Sequence, residues 1–170
     1  MDDSTLHSVI RELSTAESYR SVFHPNRPGI HMPSLDDLRQ IVSFLRRVFF
    51  PGYFAHSEIT PDSLPYYIGA NVDKAYRLLT EQIHRGFCFP CTEEEARQCN
   101  DCGREAGPTA QAFIEKLPEI RRMLATDARA AFEGDPAARS IGETVFCYPS
   151  LTALTNYRIA HELYLLDVPI

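Results

Sequence analysis

Two cysteine pairs form the sharpest chemical pattern in the chain: Cys88-Phe89-Pro90-Cys91, then Cys99-Asn100-Asp101-Cys102. A two-residue gap lets both sulfurs of a pair converge on one edge of a tetrahedron, and the seven residues between the pairs suffice to fold back into a loop. Four thiolates would select zinc, or an iron–sulfur cluster under anaerobic conditions. The spacing between the pairs is shorter than in most zinc ribbons, so reduced, unliganded or redox-active thiols compete with the metal reading. With four protein ligands such a site is closed, and its metal structural rather than catalytic. Residues 86–107 are therefore a candidate metal-binding insert. Cys147 stands apart and reads as a small apolar residue.

The other chemistry-bearing residues are less organised. None of the six histidines belongs to an HExxH or similar pair. His84 is close enough in sequence to Cys88 to replace a thiolate, and His161 reads as a packing or capping residue. The eight glycines are too dispersed for a phosphate loop, and no GxSxG elbow occurs. The carboxylates are abundant, but their spacing nominates no acid–base pair.

The elements that must position these residues are helices. Leu6, Val9, Ile10 and Leu13 share a face, with Ser4 as the expected cap. His24 to Pro33 is rich in proline and reads as a linker. Ser34 caps a second helix carrying Asp36 and Asp37 in its first turn and the stripe Leu38, Ile41, Val42, Leu45, Val48 and Phe49, ended by Pro51-Gly52. Thr60-Pro61 is the expected start of a third, through Ile68, Val72, Ala75, Leu79 and Ile83 to about Arg85-Gly86. The pattern then lapses into the polar insert and resumes near Thr109, with Leu117, Ile120, Leu124, Ala128 and Ala131. Pro118 predicts a junction of two helices or a kink there. Gly134-Asp135-Pro136 predicts a turn. The final helix is expected from a Ser150 cap to about Leu166, with Leu151, Leu154, Tyr157, His161 and Tyr164 near one face. Thr144 to Tyr148 is the one stretch with strand-like alternation. The fold class is all-α: a bundle of six or seven helices with an irregular cysteine-rich insert.

Bulk properties narrow the function. The chain has 170 residues, enough for one compact domain with a real core. A net charge of −6 argues against a nucleic-acid partner, and the basic pairs Arg46-Arg47 and Arg121-Arg122 read as solvated helix faces. The N-terminus lacks the pattern of a secretory signal, and no apolar run reaches the roughly 18 residues that would span a membrane. The expected location is the cytoplasm, where five cysteines are not paired by default. The chain stops almost at the end of its last helix, which reads as a truncation. From the residues alone it is a helical domain with a candidate metal site.

Residues near the C-terminus add a resemblance. Gly134-Asp135-Pro136-Ala137-Ala138 resembles the Asp-Pro-Ala turn of serine O-acetyltransferases. Tyr148-Pro149-Ser150-Leu151 followed by Tyr157-Arg158-Ile159-Ala160-His161-Glu162-Leu163-Tyr164 resembles the helix that follows it in that family, in the same order and at the same separation. Leu117-Pro118-Glu119-Ile120-Arg121 and Asp127 agree, and Phe49-Phe50-Pro51-Gly52-Tyr53 resembles the subgroup with a long N-terminal extension. The similarity is strong over residues 112–170 and looser over 30–111.

The resemblance implies that residues 1–170 are the helical N-terminal domain of an enzyme that acetylates serine from acetyl-CoA, the first step of cysteine synthesis. In that family a left-handed β-helix of hexapeptide repeats follows. It binds acetyl-CoA between subunits and supplies the His–Asp pair that takes the serine proton. This sequence contains neither the repeats nor the family's Asp-His-x-x-Gly segment, so catalytic residues are expected outside it and the 170 residues are expected to be inactive alone. One site residue carries over: Asp135, expected to contact serine and the inhibitor cysteine through a charge-assisted hydrogen bond to the ammonium. The other reading of Asp135 is a turn carboxylate bonding its own backbone, and both can hold. Arg158 and His161 are expected to be structural. The resemblance further implies self-association as a trimer or dimer of trimers. It also implies contact with O-acetylserine sulfhydrylase through a tail ending in isoleucine beyond the β-helix, which Ile170 is not. The competing function is a non-enzymatic helical module, held by a zinc knuckle, that binds a protein partner.

Overall fold

The computed structural model describes residues 2–24, 32–54, 58–91, 94 and 100–170. Seven helices run through them, and the described residues contain no strand. Helices α1 (Asp3–Leu13) and α2 (Ala16–Tyr19) touch each other and bury no residue. The bundle consists of α3 (Leu35–Phe49), α4 (Leu64–Cys88), α5 (Asn100–Gly134), α6 (Ile141–Cys147) and α7 (Pro149–Leu165). The expected all-α class holds.

Helix α3 follows its local signals. Ser34 Oγ accepts from Asp37 N at 3.2 Å, Asp36 and Asp37 sit at the positive end of the dipole, and Ile41, Leu45, Val48 and Phe49 are buried. The chain leaves through Gly52, whose φ of 91° suits only glycine comfortably. Arg46 and Arg47 depart from expectation. Both are half-buried, against aromatic rings, rather than on a solvated face.

Helix α4 starts at Leu64 rather than at Thr60-Pro61, because Thr60 to Ser63 closes a separate turn in which Ser63 N donates to Thr60 O at 3.1 Å. Its buried stripe includes Ala75, Leu79 and Ile83. Gln82, 0% exposed, bridges two helices: its Oε1 accepts from Ser34 N at 2.6 Å and its Nε2 donates to Asp37 at 3.0 Å. A buried amide satisfied on both sides fixes the start of α3 against α4.

Helix α5 is one unbroken element through both Pro108 and Pro118. The expected junction at Pro118 is absent, and the insert ends at Asn100 instead of running to 107. Ala106, Ala110, Phe113, Leu117, Ile120, Leu124 and Ala128 are all buried along one stripe, packed on α3 and α4. That burial outweighs the amide bonds the prolines cannot make.

The strand-like stretch Thr144–Tyr148 is helical up to Cys147. Ser140-Ile141-Gly142-Glu143 caps it: Ser140 Oγ accepts from Glu143 N at 3.1 Å, and Glu143 accepts from Arg139 N at 2.8 Å. In α7 the N-cap is Tyr148, with Pro149 in the first turn and Ser150 already inside. The buried stripe is Leu151, Thr155, Ile159 and Leu163, at four-residue spacing. Tyr157 and Tyr164 face out, and the Tyr157 and His161 rings stack at 5.7 Å on the surface. Similarly, α1 is capped at Asp2, and Ser4 lies within the helix with its hydroxyl donating to Asp2. Beyond α7, Asp167 at φ 55° lets Val168 N reach back to Leu163 O at 3.0 Å, a Schellman closure. The last residues then pack on α4, where a Cβ at Gly86 would lie 2.5 Å from Ile170.

No helix among the described residues is long and apolar enough to cross a membrane.

Candidate functional site

Asp135 is the first residue after α5, where the helix has ended at Gly134 and Pro136 prevents its continuation. Its backbone carbonyl accepts from Ala138 N at 3.0 Å, and its Oδ1 accepts from Ala137 N at 2.9 Å. The expected self-bonding turn is therefore present. The other oxygen, Oδ2, accepts a short hydrogen bond from the Tyr148 hydroxyl. Tyr148 stands between α6 and α7, so two helix ends and one turn converge on a single carboxylate.

The electrostatics follow from that geometry. The Tyr148 hydroxyl, then the Ala137 amide, hold the Asp135 carboxyl below its ordinary range. In return the Asp135 hydrogen bond, with burial and the nearby charges of Asp135 and Glu143, pushes the Tyr148 phenol up to about 12. At neutral pH the pair is a phenol and a carboxylate carrying one negative charge. Each carboxylate oxygen uses one lone pair internally and keeps another, which suits a cation that donates hydrogen bonds, such as an ammonium. Sequence reasoning passed over Tyr148 as a partner, because thirteen residues separate it from Asp135 and no local pattern links them.

Helix α5, which ends at this turn, is pinned to α7, which begins beside Tyr148. Arg158 on α7 forks onto Asp127 on α5, Nε to Oδ2 at 2.6 Å and Nη2 to Oδ1 at 2.7 Å. Both side chains are largely buried, at 21% and 16% exposed. Asp127 raises the Arg158 guanidinium pKa above its ordinary value. The arrangement supports the structural reading of Arg158. His161 faces solvent against Tyr157 and packs no core.

Three of the four paired cysteines lie among the described residues. Cys88 closes α4, Cys91 follows it with Sγ 3.6 Å from Phe87 O, and Cys102 lies in the first turn of α5. All three are half-buried. Cys99 lies outside the described residues. His84 approaches the start of α5, its Nε2 falling 3.7 Å from a Cβ placed at Gly103. Among the described residues no group of three or more His, Cys, Asp or Glu is arranged to hold a metal. Cys147, expected among apolar neighbours, is exposed.

Comparison with known proteins gives the turn its context. No protein-family model matches the sequence. The plasmid-encoded serine acetyltransferase of Synechococcus elongatus is 38% identical over 168 residues, 97% of this chain and 53% of that enzyme. The homologues of this chain are serine acetyltransferases. A shorter stretch of 46 residues is 52% identical to serine acetyltransferase of Synechocystis, covering 27% of this chain and 18% of that enzyme. Among solved structures, serine acetyltransferase 1 of Entamoeba histolytica in complex with L-cysteine superposes with a TM-score of 0.59 at 27% identity, covering 98% of this chain and 54% of that one. The native form of the same enzyme gives 0.58 at 29%, covering 97% and 55%. The chain thus spans about half the length of the serine acetyltransferases it matches end to end. The competing module held by a zinc knuckle gains no support from these relatives or from the described cysteines.

Proposed function

We propose that these 170 residues are the helical N-terminal domain of a cytoplasmic serine O-acetyltransferase, supplying subunit contacts and one substrate-binding carboxylate to an enzyme that converts L-serine and acetyl-CoA to O-acetylserine and CoA. The observation that carries this reading is similarity to a serine acetyltransferase along 97% of the chain. The geometry at Asp135 supports its role in detail. Tyr148 and the Ala137 amide orient the carboxylate without neutralising it, so it can hold the ammonium of serine.

In the transfer the serine hydroxyl oxygen attacks the thioester carbonyl, the new C–O ester bond forms, and the C–S bond breaks. The hydroxyl proton passes through a base outside these residues to the departing thiolate. Fixing the ammonium at Asp135 would place the hydroxyl for that attack, a positioning contribution rather than a covalent one. The Entamoeba relative was solved with L-cysteine, which presents the same ammonium. Cysteine bound to this enzyme would therefore compete for Asp135.

Exposed apolar residues, among them Leu13, Phe146, Tyr157 and Leu165, support self-association, as a trimer or dimer of trimers in the whole enzyme. A partnership with O-acetylserine sulfhydrylase would involve residues beyond these. A structural zinc at Cys88, Cys91, Cys99 and Cys102 is supported by their spacing alone. The decisive experiment is serine-dependent release of CoA from acetyl-CoA by the whole gene product, beside Asp135→Asn. The variant should raise KM for serine about 10- to 100-fold, the worth of a hydrogen bond to a charged group. Absence of activity with serine would overturn the enzyme assignment, and an active Asp135→Asn enzyme with unchanged KM would overturn the role of Asp135 alone.

A further inference from the structure

Arg39, Ser43 and Arg46 recur at four- and three-residue spacing and so share one stripe of α3. With Val42 and Phe54 they line a cavity of about 230 Å³. Arg46 is chemically incomplete. Its Nε is buried and makes no hydrogen bond among the described residues. Its guanidinium lies 4.1 Å above the Phe54 ring, and Nη2 reaches Thr152 Oγ1 only at 3.5 Å.

Four arginines have carboxylate partners: Arg39 with Asp36, Arg77 with Asp73, Arg85 with Glu81 and Arg158 with Asp127; Arg46 shares with Arg47 a buried Nε that no described group satisfies. No ion pair among the described residues includes Arg46. Burial lowers its pKa from the ordinary value, the direction expected of a cation partly withdrawn from water. A half-buried guanidinium with no anionic partner among the described residues is a ready counter-ion for an anion entering the cavity.

The donors around the cavity indicate the kind of anion. Arg46 offers a planar fork, Ser43 a hydroxyl, and Arg39 those nitrogens that Asp36 does not take. Asp36 offsets much of the Arg39 charge at the mouth, so Arg46 is the anchor. Two guanidinium groups and a hydroxyl along one helix face offer more donors than a single carboxylate can accept from, and the guanidinium fork matches phosphate oxygens pairwise. We propose that Arg46, with Ser43 and Arg39, forms a binding site for a phosphate group, free or carried on a small ester, in the cavity between α3 and Phe54. The site is separate from the Asp135 turn and does not depend on the acetyltransferase reading.

The test is thermal unfolding of the chain in inorganic phosphate, against potassium chloride at equal ionic strength. At phosphate tenfold above its Kd, Tm should rise by about 3–6 °C beyond the chloride control. Arg46→Met should abolish the rise. Arg46→Lys, which keeps the charge but loses the fork, should weaken binding about tenfold or more and serves if the methionine variant does not fold. Arg39→Gln should weaken it severalfold, and Arg77→Gln should leave it unchanged. A parallel titration with adenosine monophosphate separates the sources: equal shifts indicate the phosphate group itself, and a shift with the ester alone indicates a phosphate carried on a larger molecule. If neither phosphate nor the ester exceeds chloride, or if Arg46→Met and Arg46→Lys respond as the unaltered chain does, the proposal is wrong.

Discussion

Replacing Arg158 by alanine should cost more stability than any exposed arginine in the chain, because it dismantles the joint between α5 and α7. Two charge-assisted hydrogen bonds, at 2.6 and 2.7 Å, are lost together with the contact of Nη1 on Met123 Sδ at 3.3 Å. Hydrogen bonds to charged groups contribute about 1.5–3 kcal/mol each, and breaking a fully buried pair costs about 3–5 kcal/mol because one charge is stranded. Here the side chains retain 21% and 16% exposure, so water can partly resolvate Asp127. The expected loss is about 3 kcal/mol, or about 6–12 °C in Tm for a domain of this size. Arg158→Lys keeps a charge without the fork and should lose about half as much. Urea unfolding followed by far-UV circular dichroism measures both, and the double variant with Asp127→Asn closes a thermodynamic cycle. Removing both partners should cost clearly less than the sum of the single losses. A loss below about 1 kcal/mol for Arg158→Ala, or strict additivity in the cycle, would show that the fork does not hold the helices.

Three further outcomes are expected. Tyr148 should titrate near 12, while Asp135→Asn returns it toward the ordinary phenol value, as read from the ring-carbon NMR shift. The sign follows from linkage: with a raised folded pKa, the contribution of Tyr148 is fully present below about pH 10 and lost as pH climbs through 12, whereas that of Asp135, whose pKa is lowered, is present above the ordinary carboxylate range and lost as pH falls through its depressed folded value. Gln82→Leu should destabilise by about 2–3 kcal/mol in urea, since it strands Ser34 N and frees Asp37 where α3 begins. Elemental analysis of protein purified without chelator should find one zinc per chain if the four cysteines ligate it, with Cys102→Ser abolishing retention; metal-free protein of unaltered Tm would remove zinc from consideration.

Much of the helical layout was legible because it rests on local chemistry. Ser34 before two aspartates, and apolar residues recurring from Leu38 to Phe49, specify α3 without reference to the rest of the fold. The errors arise where long-range burial overrides a local rule. Pro118 argues for a junction or a kink, yet the stripe it interrupts is buried from Ala106 to Ala128 within one helix. Thr144 to Tyr148 alternates like a strand, but the Ser140 and Glu143 cap before it is a helix signal that outweighs five residues of alternation. Arg46 and Arg47 read as surface because charge is normally solvated, and only the folded chain brings Phe54 and Phe44 over them. The turn at Asp135 was legible in Gly134-Asp135-Pro136, whereas its bond to Tyr148 needed the helices to bring two distant positions together.

Under the role proposed for Asp135, the location of its turn accounts for how a helical domain would hold one carboxylate in a fixed direction. Asp135 follows Asp127 by just over two helical turns, and Arg158 follows Tyr148 by just under three, so the Arg158–Asp127 fork ties α5, at whose end Asp135 stands, to α7, whose N-cap is Tyr148. Thr144 closes the third side, its buried hydroxyl sharing one hydrogen between Ile141 O at 2.8 Å and Ala128 O at 3.2 Å. The turn therefore sits on an anchored base, and the Tyr148 bond has only to set the final direction of Asp135. A carboxylate on a loose loop would lose conformational entropy on every binding event, while one already held by two internal donors loses little. Loss of the Tyr148 hydroxyl alone, as in Tyr148→Phe, should accordingly raise KM for serine severalfold while leaving kcat and the fold nearly intact, whereas breaking the fork behind the turn should lower stability first. Equal effects of the two changes on unfolding would mean that the turn and its base are one cooperative unit.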